Sequence, residues 1–451
     1  MGAARRIIFW FSMSFLSIFL GGLARAAEDV GRMEQMIGAY VDAGEFMGAI
    51  LVARGDKVVL SKGYGFANME WSVPNAPDTK FRIGSITKQF TAACVLLLEE
   101  RGKLKIDDPI KNYLPDTPKA WEAITIFHLL THTSGILNFT DFPDYETTKA
   151  LSTTPDAIVA RFRDKPLESS PGEKFAYSNS NYFLLGLLIE KVSGLDYAQF
   201  LQKNVFDVLG MKDSGYDSHA AIIPRRASGY AKTDKGLVNA DYVDMNFAFA
   251  AAALYSTTED LLRWERGLMT GALLSPASLE KMTTTFKSDY ALGVGVGENG
   301  RRKFLWHNGG IDGFITTLNY YPAERLTVVV LGNQAGPAPV EIAAMLAGMA
   351  LEEKVVLRWE HKEIDVDAAT LTKYVGEYQL QPRVVNTITL ENGRLMTQLT
   401  GQSKFPLFAE SPTLFFLKVA DAQVEFAMND QGFVTHLLIH QNGNVVKATK
   451  K

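Results

Sequence analysis

The spacing of apolar residues changes twice along this chain, and that change limits its fold more than any other feature. From Gly48 the run Ala49-Ile50-Leu51-Val52-Ala53, a Gly55-Asp56 turn and Val58-Val59-Leu60 predict two strands of a hairpin. The period then lengthens. Ile86, Phe90, Ala93 and Leu97 recur at steps of four, three and four, the mark of a helix with one buried face, and Gly102 stops it. A second helix is predicted between Asn181 and Val192, capped by Ser180 or Asn179 with Gly194 beyond its end. A third opens at Ser256, whose spacing to Glu259 makes a capping box. Strands return over Tyr290 to Val296, Thr316 to Tyr321 and Leu326 to Leu331. Strands at both ends with helices between predict an α+β fold, one sheet covered by helices.

After about residue 352 the pattern changes again. Glu352 to Asp367 is charged and weakly periodic, and reads as a linker. Beyond it, Asn386 to Leu390 and Arg394 to Leu399 flank an Asn392-Gly393 turn, and Val424, Phe426 and Met428, then Phe433, Thr435, Leu437 and Ile439, alternate with their neighbours. Residues 368–451 are expected to form a separate small antiparallel β-domain, a barrel or a strongly curved sheet.

The N-terminus obeys another logic. Arg5 and Arg6 precede an apolar stretch from Ile7 to Leu23, which ends in Ala24-Arg25-Ala26 before Glu28 and Asp29. These are the three regions of a secretory signal peptide, expected to be cleaved after Ala26 and to deliver the protein to the periplasm or outside the cell. The alternative, an uncleaved anchor, would have about 17 residues where a hydrocarbon core needs about 20, so no stable membrane anchor is expected after cleavage. Without Arg5, Arg6 and Arg25 the 46 basic residues fall to 43 against 50 acidic ones, a net charge of −7, which offers nothing to a phosphate backbone and excludes nucleic acid as a partner. Cys94 is the only cysteine, so stability rests on the core (47% of residues are hydrophobic) with no internal disulfide.

Chemistry is written in three places. Ser85-Ile86-Thr87-Lys88 sets a hydroxyl and an amine three residues apart at a helix start, where i,i+3 side chains lie roughly 5–6 Å apart. A lysine serving as base must lose its proton near neutral pH, which asks for about 4–5 kcal/mol of environmental preference for the neutral amine, from burial and the helix N-terminus. Alone, the tetrapeptide also fits a helix-capping serine beside a solvated lysine. Tyr177-Ser178-Asn179 precedes the second helix. A phenol can relay a proton and a carboxamide can hold a substrate amide, although both also serve as turn and cap residues. Trp306-His307-Asn308-Gly309-Gly310 precedes a strand and can offer backbone N–H groups to an oxyanion, or be a plain glycine turn.

The ordered set Ser-x-x-Lys, Tyr-x-Asn and His-x-Gly, with Gly48-Ala49-Ile50 and Gly63 to Asn68 upstream, resembles the serine β-lactamase and penicillin-binding-protein-like hydrolases, with class C β-lactamases, D-aminopeptidases and esterases as closer kin. Phe81 to Ala92, Leu129 to Gly135 and Leu254 to Leu261 also look like segments of that family, and the likeness spans roughly residues 40 to 350. The resemblance implies a β-lactamase/transpeptidase-like fold, an antiparallel sheet flanked by helices plus an all-helical subdomain, over residues 27–351. It implies Ser85 as nucleophile, Lys88 as general base, Tyr177 as proton carrier, Asn179 as a substrate ligand, and the N–H groups of Ser85 and Gly310 as oxyanion hole. His307, Gly309 and Gly310 complete the substrate-binding set. His307 stands where penicillin-recognising relatives carry Lys, which weakens the positive charge that would meet a substrate carboxylate; esterase and peptidase branches often carry His there. Ala250 to Ala253 stand where many relatives have glycines, which would narrow the pocket. Leu371 to Tyr378 resembles the opening of a lipocalin-like barrel appended to such hydrolases.

The function expected is that of an exported serine hydrolase acting through an acyl-enzyme on a small ester, amide or short peptide, of esterase or D-stereospecific peptidase type. The alternatives are a β-lactamase and a binding or sensing protein without turnover. No cofactor is implied, and oligomer formation is left open. His128 and His132 have the i,i+4 spacing of zinc ligands but no accompanying third ligand, so no metal is expected. Gly293 to Gly297 imitates a dinucleotide loop without its helix or acidic residue, and reads as a glycine-bearing strand.

Overall fold

The structure, a computed structural model, describes residues 30–451 apart from 300, 301, 383, 420, 421, 442 and 443. The expected signal peptide, residues 1–26, lies outside the described residues. The chain divides into two compact units between Ala350 and Leu351. Among the described residues no helix is long and apolar enough to cross a membrane.

The first unit is built on a six-stranded sheet in which every pair of neighbours is antiparallel, in the order Gly295–Asn299, Arg302–Ile311, Phe314–Tyr321, Leu326–Gly332, Gly48–Arg54, Lys57–Tyr64. The chain's first hairpin thus pairs with the last strand of this sheet in chain order, Gly48 opposite Gly332 and Arg54 opposite Leu326, which brings the two ends of the unit together. Gly48–Arg54 is buried from Gly48 to Ala53 because helices cover it; the Thr258–Met269 helix packs on it and on Leu326–Gly332, as does the Ala338–Ala350 helix on the latter. The intervening helices, Thr87–Glu100, Asn179–Ser193 and Met245–Ala252 among them, pack on one another and share a single apolar core with the sheet, from Leu51 and Leu318 to Phe90 and Leu185. Phe90 and Trp264 stack at 3.9 Å between ring centroids within it. This is the α+β architecture expected, with its sheet and its all-helical part.

Four local expectations shift. The second helix runs Asn179–Ser193 with Ser178 as N-cap; the expected caps are diverted, Asn179 to Lys88 and Ser180 to the Leu137 carbonyl. The third runs Thr258–Met269, capped by Thr257, whose side chain accepts the Asp260 N–H, while Ser256 ends a short strand and bonds Ser214. The strand expected from Tyr290 begins only at Gly295, because Gly293 at φ +73° and the Ala291 N–H to Val294 carbonyl bond fold residues 290–294 into a turn. Trp306 to Gly310, expected as a segment before a strand, lies inside the strand Arg302–Ile311.

The second unit opens with the helix Ala368–Tyr374 and continues as one nine-stranded antiparallel sheet. Its edge strands, Phe405–Pro406 and Phe408–Ala409, are separated by Leu407 alone, so the sheet curls into a nearly closed barrel. Tyr374, Tyr378, Phe415, Phe426 and Leu437 fill it.

Candidate active site

Gly84 makes the site possible. It holds φ +52°, a conformation glycine adopts at no steric cost, as the first residue of the 3-10 turn Gly84–Ile86 that follows the strand Phe81–Arg82. That turn carries Ser85 and leads directly into the Thr87–Glu100 helix, which places Lys88 one turn later and fully buried. Lys88 Nζ lies 3.0 Å from Ser85 Oγ, 2.8 Å from Asn179 Oδ1 and 3.0 Å from the Ala251 carbonyl oxygen. Burial holds the amine well below the ordinary lysine value, with no carboxylate contributing. The three contacts fit that neutral state. Carbonyl oxygens only accept, so Asn179 and Ala251 take the two N–H groups of an amine and leave its lone pair for the Ser85 hydroxyl proton.

Asn179 is held from every side, its N–H donating to Asn138 Oδ1 at 3.0 Å and its Nδ2 to Thr140 Oγ1 at 3.0 Å. Burial raises the Tyr177 phenol above its ordinary value, and its interaction with Ser85 opposes part of the rise. Lys88 Nζ sits 4.8 Å from the Tyr177 ring centroid. Behind Tyr177 stands His132, which the sequence marks only by its i,i+4 spacing from His128. Its backbone is left-handed at φ +54°, its ring lies 4.3 Å from that of Tyr177, and its Nδ1 accepts the Ser178 N–H at 3.1 Å. Burial first, then the nearby Lys88 and His307, hold it well below the ordinary histidine range. His128 instead accepts the Thr125 N–H on Nδ1 as part of a capping box.

The third motif approaches Ser85 from the sheet. Gly295–Asn299 pairs with Arg302–Ile311 only as far as Trp306, so residues 307–311 keep a sheet edge beyond that pairing. A Cβ on Gly309 would lie 1.9 Å from the Ile83 carbonyl oxygen, and one on Gly84 would lie 2.7 Å from the Gly310 nitrogen. Only glycines allow this approach, and it sets the Gly310 N–H beside the Ser85 turn. Thr316 Oγ1 fastens the two by donating to the Ile83 carbonyl at 2.9 Å.

His307 faces elsewhere. It is 4% exposed and does not line the cavity at Ser85. Its Nδ1 is 2.7 Å from the Asn308 carbonyl and must donate there, which leaves Nε2 to accept from the Tyr290 hydroxyl at 3.0 Å. Burial, then Lys88, push it down to about 3, so it is neutral. Tyr290 itself carried no sequence signal, since it sat in a segment that read as strand.

Phe249 carries a feature that sequence reading does not reach. Its φ of +39° breaks the Met245–Ala252 helix from within. Such a conformation costs a non-glycine residue about 1–3 kcal/mol. Just past the break, the Ala250 carbonyl accepts from Thr91 Oγ1 at 2.7 Å and the Ala251 carbonyl meets Lys88. Ser85, Asn179, Ala251, Ala252 and Gly310 open together on a cavity of about 260 Å³.

Comparison with known proteins agrees with this geometry. Residues 33–351 match the protein-family model described as Beta-lactamase, and residues 360–449 match one described as a domain of unknown function, DUF3471. The chain is 28% identical over 440 residues to penicillin-binding protein 4* of Bacillus subtilis, covering 90% of this chain and 95% of that one. Among solved structures it is similar to the octameric penicillin-binding protein homologue from Pyrococcus abyssi, with a TM-score of 0.68, 26% identity and coverage of 94% and 100%. It is also similar to D-amino acid amidase from Ochrobactrum anthropi SV3, with a TM-score of 0.63, 25% identity and coverage of 72% and 98%.

Proposed function

This chain belongs to the Beta-lactamase family of serine hydrolases, and from its site we propose that it is an exported enzyme that cleaves small esters or amides, of esterase or D-stereospecific peptidase type, through an acyl-enzyme at Ser85. Lys88 takes the hydroxyl proton as Ser85 Oγ bonds to the substrate carbonyl carbon. The negative charge that develops on the carbonyl oxygen is met by the backbone N–H groups of Ser85 and Gly310. The proton passes through Tyr177 to the leaving group as the carbonyl-to-leaving-group bond breaks. Water then hydrolyses the ester on Ser85, giving the acid and the free hydroxyl. Asn179 acts first on Lys88, whose amine it orients, and is one of the residues that line the cavity.

The observation that carries this reading is the set of three contacts at Lys88 Nζ, two to obligate acceptors and one to Ser85. A fluorophosphonate should add its mass to the tryptic peptide containing Ser85, and Ser85→Ala should abolish both adduct and turnover; a protein without adduct whose Ser85→Ala variant retains activity defeats the proposal. The likeness to D-amino acid amidase supports the amide branch. A β-lactamase is the weaker reading, since His307 is neutral and engaged at both nitrogens and gives a substrate carboxylate no cation. Nitrocefin turnover far above that of Ser85→Ala would reinstate it. Export follows from residues 1–26, and an octameric relative makes assembly of this chain a matter for mass photometry.

A further inference from the structure

The cavity at Ser85 has a charge pattern of its own. Phe139, Tyr145, Val243, Phe247 and Ile311 give it an apolar wall, and Glu146 is the one charged residue lining it. Glu146 keeps 69% of its side chain exposed and shares Lys149 with two more carboxylates: Lys149 Nζ is 2.6 Å from Glu146, 2.5 Å from Asp312 and 3.4 Å from Asp241. One ammonium, 5% exposed, thus faces three carboxylates and is not available to an anionic ligand. Among the described residues no cation lines the cavity, and His307 is neutral. Ser85 and Gly310 line it and Tyr177, which hands the proton to the leaving group, does not.

We propose that the acyl group accepted at Ser85 carries an ammonium beside an apolar or aromatic moiety, and that Glu146 is the residue that selects it. This rests on the serine hydrolase reading above. The volume of about 260 Å³ suits such a group, being just below the roughly 300–1,000 Å³ of pockets for larger ligands. A carboxylate there would meet uncompensated negative charge and lose its hydration without a partner. The same arithmetic disfavours anionic substrates from the outset.

The test measures the rate of fluorophosphonate labelling of Ser85 in the full chain against rising 2-phenylethylamine, benzyl alcohol or phenylacetate. The amine should protect at concentrations about tenfold or more below the other two, the discrimination expected of one partly shielded charge pair. In Glu146→Gln that advantage should shrink to about threefold or less, and in Glu146→Lys phenylacetate should become the better protector. Hydrolysis of D- and L-phenylalanine p-nitroanilide against the 3-phenylpropanoyl and N-succinyl analogues should follow the same ranking, with the change in Glu146→Gln falling on KM more than on kcat. Equal protection by the three compounds, or an amine preference untouched in Glu146→Gln, overturns the proposal. Failure of Ser85 to label at all defeats the hydrolase reading instead, so the two failures are separable.

Discussion

The interior of the C-terminal unit and the interior around Ser85 bury polar groups on opposite terms. In the β-unit each buried hydroxyl has an ordinary partner: Tyr374 donates to the Pro412 carbonyl, Tyr378 to the Tyr374 carbonyl, and Thr397 to Asn386, at 2.7–2.8 Å. Around Ser85 the chain buries an amine without a carboxylate, a histidine pushed down to about 3, a second histidine whose Nε2 has no partner, and a phenylalanine at φ +39°. A group kept neutral by burial destabilises the fold relative to an apolar one, and such groups persist where the surrounding structure holds them and chemistry uses them. The barrel interior is that of a stable fold with its polar groups paired; the interior around Ser85 carries the strain of a reaction centre.

That contrast can be broken by substitution. Ser85→Ala should lower kcat/KM by about 10³-fold or more without lowering the melting temperature, and Lys88→Arg, which buries a permanent charge without a carboxylate, should lower both. A Ser85→Ala protein that melts earlier would mean that the site is a stability element after all. Phe426→Ala, which removes a ring stacked 4.2 Å from Tyr374, should cost about 3–5 kcal/mol in calorimetric unfolding. The labelling rate of Ser85 at 25 °C should stay within about twofold in that variant; a parallel fall in labelling would show the two interiors to be coupled.

Smaller effects sharpen the comparison within the first unit. Glu265 is buried on the Thr258–Met269 helix, its Oε2 lacks a partner, and burial pushes it up to about 8. Its folded value is raised, so the stability it contributes is complete below the unfolded value of about 4.3 and is lost as pH rises through 8. Glu265→Gln should therefore stabilise the fold by an increment that grows from pH 5 to 8.5, reaching about 2–4 kcal/mol in urea titrations. A gain independent of pH would contradict the burial account. His307 has the opposite sign. Its folded value is depressed, so its contribution is present above about 6.5 and is lost as pH falls from there toward 3. Urea titrations should show about 1–2 kcal/mol lost by pH 5.5, and His307→Gln should flatten that slope.

Much of this was legible in the chain. The hairpin and the strands over Thr316 to Tyr321 and Leu326 to Leu331 were readable because their patterns are set by burial on one or both faces of one sheet; the helix through Phe90 was placed by its period, but it is buried on every face from Thr87 to Leu98 rather than on one. Ser85, Lys88, Tyr177, Asn179 and Gly310 were found by motif spacing, and the structure brings them together. Two kinds of feature were not readable. Tyr290 sits in an apolar, glycine-bearing run whose local pattern is that of a strand, yet its hydroxyl is recruited by His307 across the fold. The caps at Ser180 and Ser256 failed because tertiary partners, Leu137 and Ser214, took their hydroxyls. Phe249 is the extreme case, since nothing in a sequence marks a non-glycine residue forced to positive φ by the carbonyls that Thr91 and Lys88 require.

The central claim is that Lys88 is unprotonated when Ser85 attacks. The rate constant for fluorophosphonate labelling of Ser85, followed by intact mass from pH 5 to 10.5, tests it without a known substrate. The rate should climb and then level off well short of the ordinary lysine value, in keeping with the lowered Lys88 amine. A rate that keeps rising about tenfold per pH unit to the top of the range, as for a hydroxyl with no base beside it, would contradict the account.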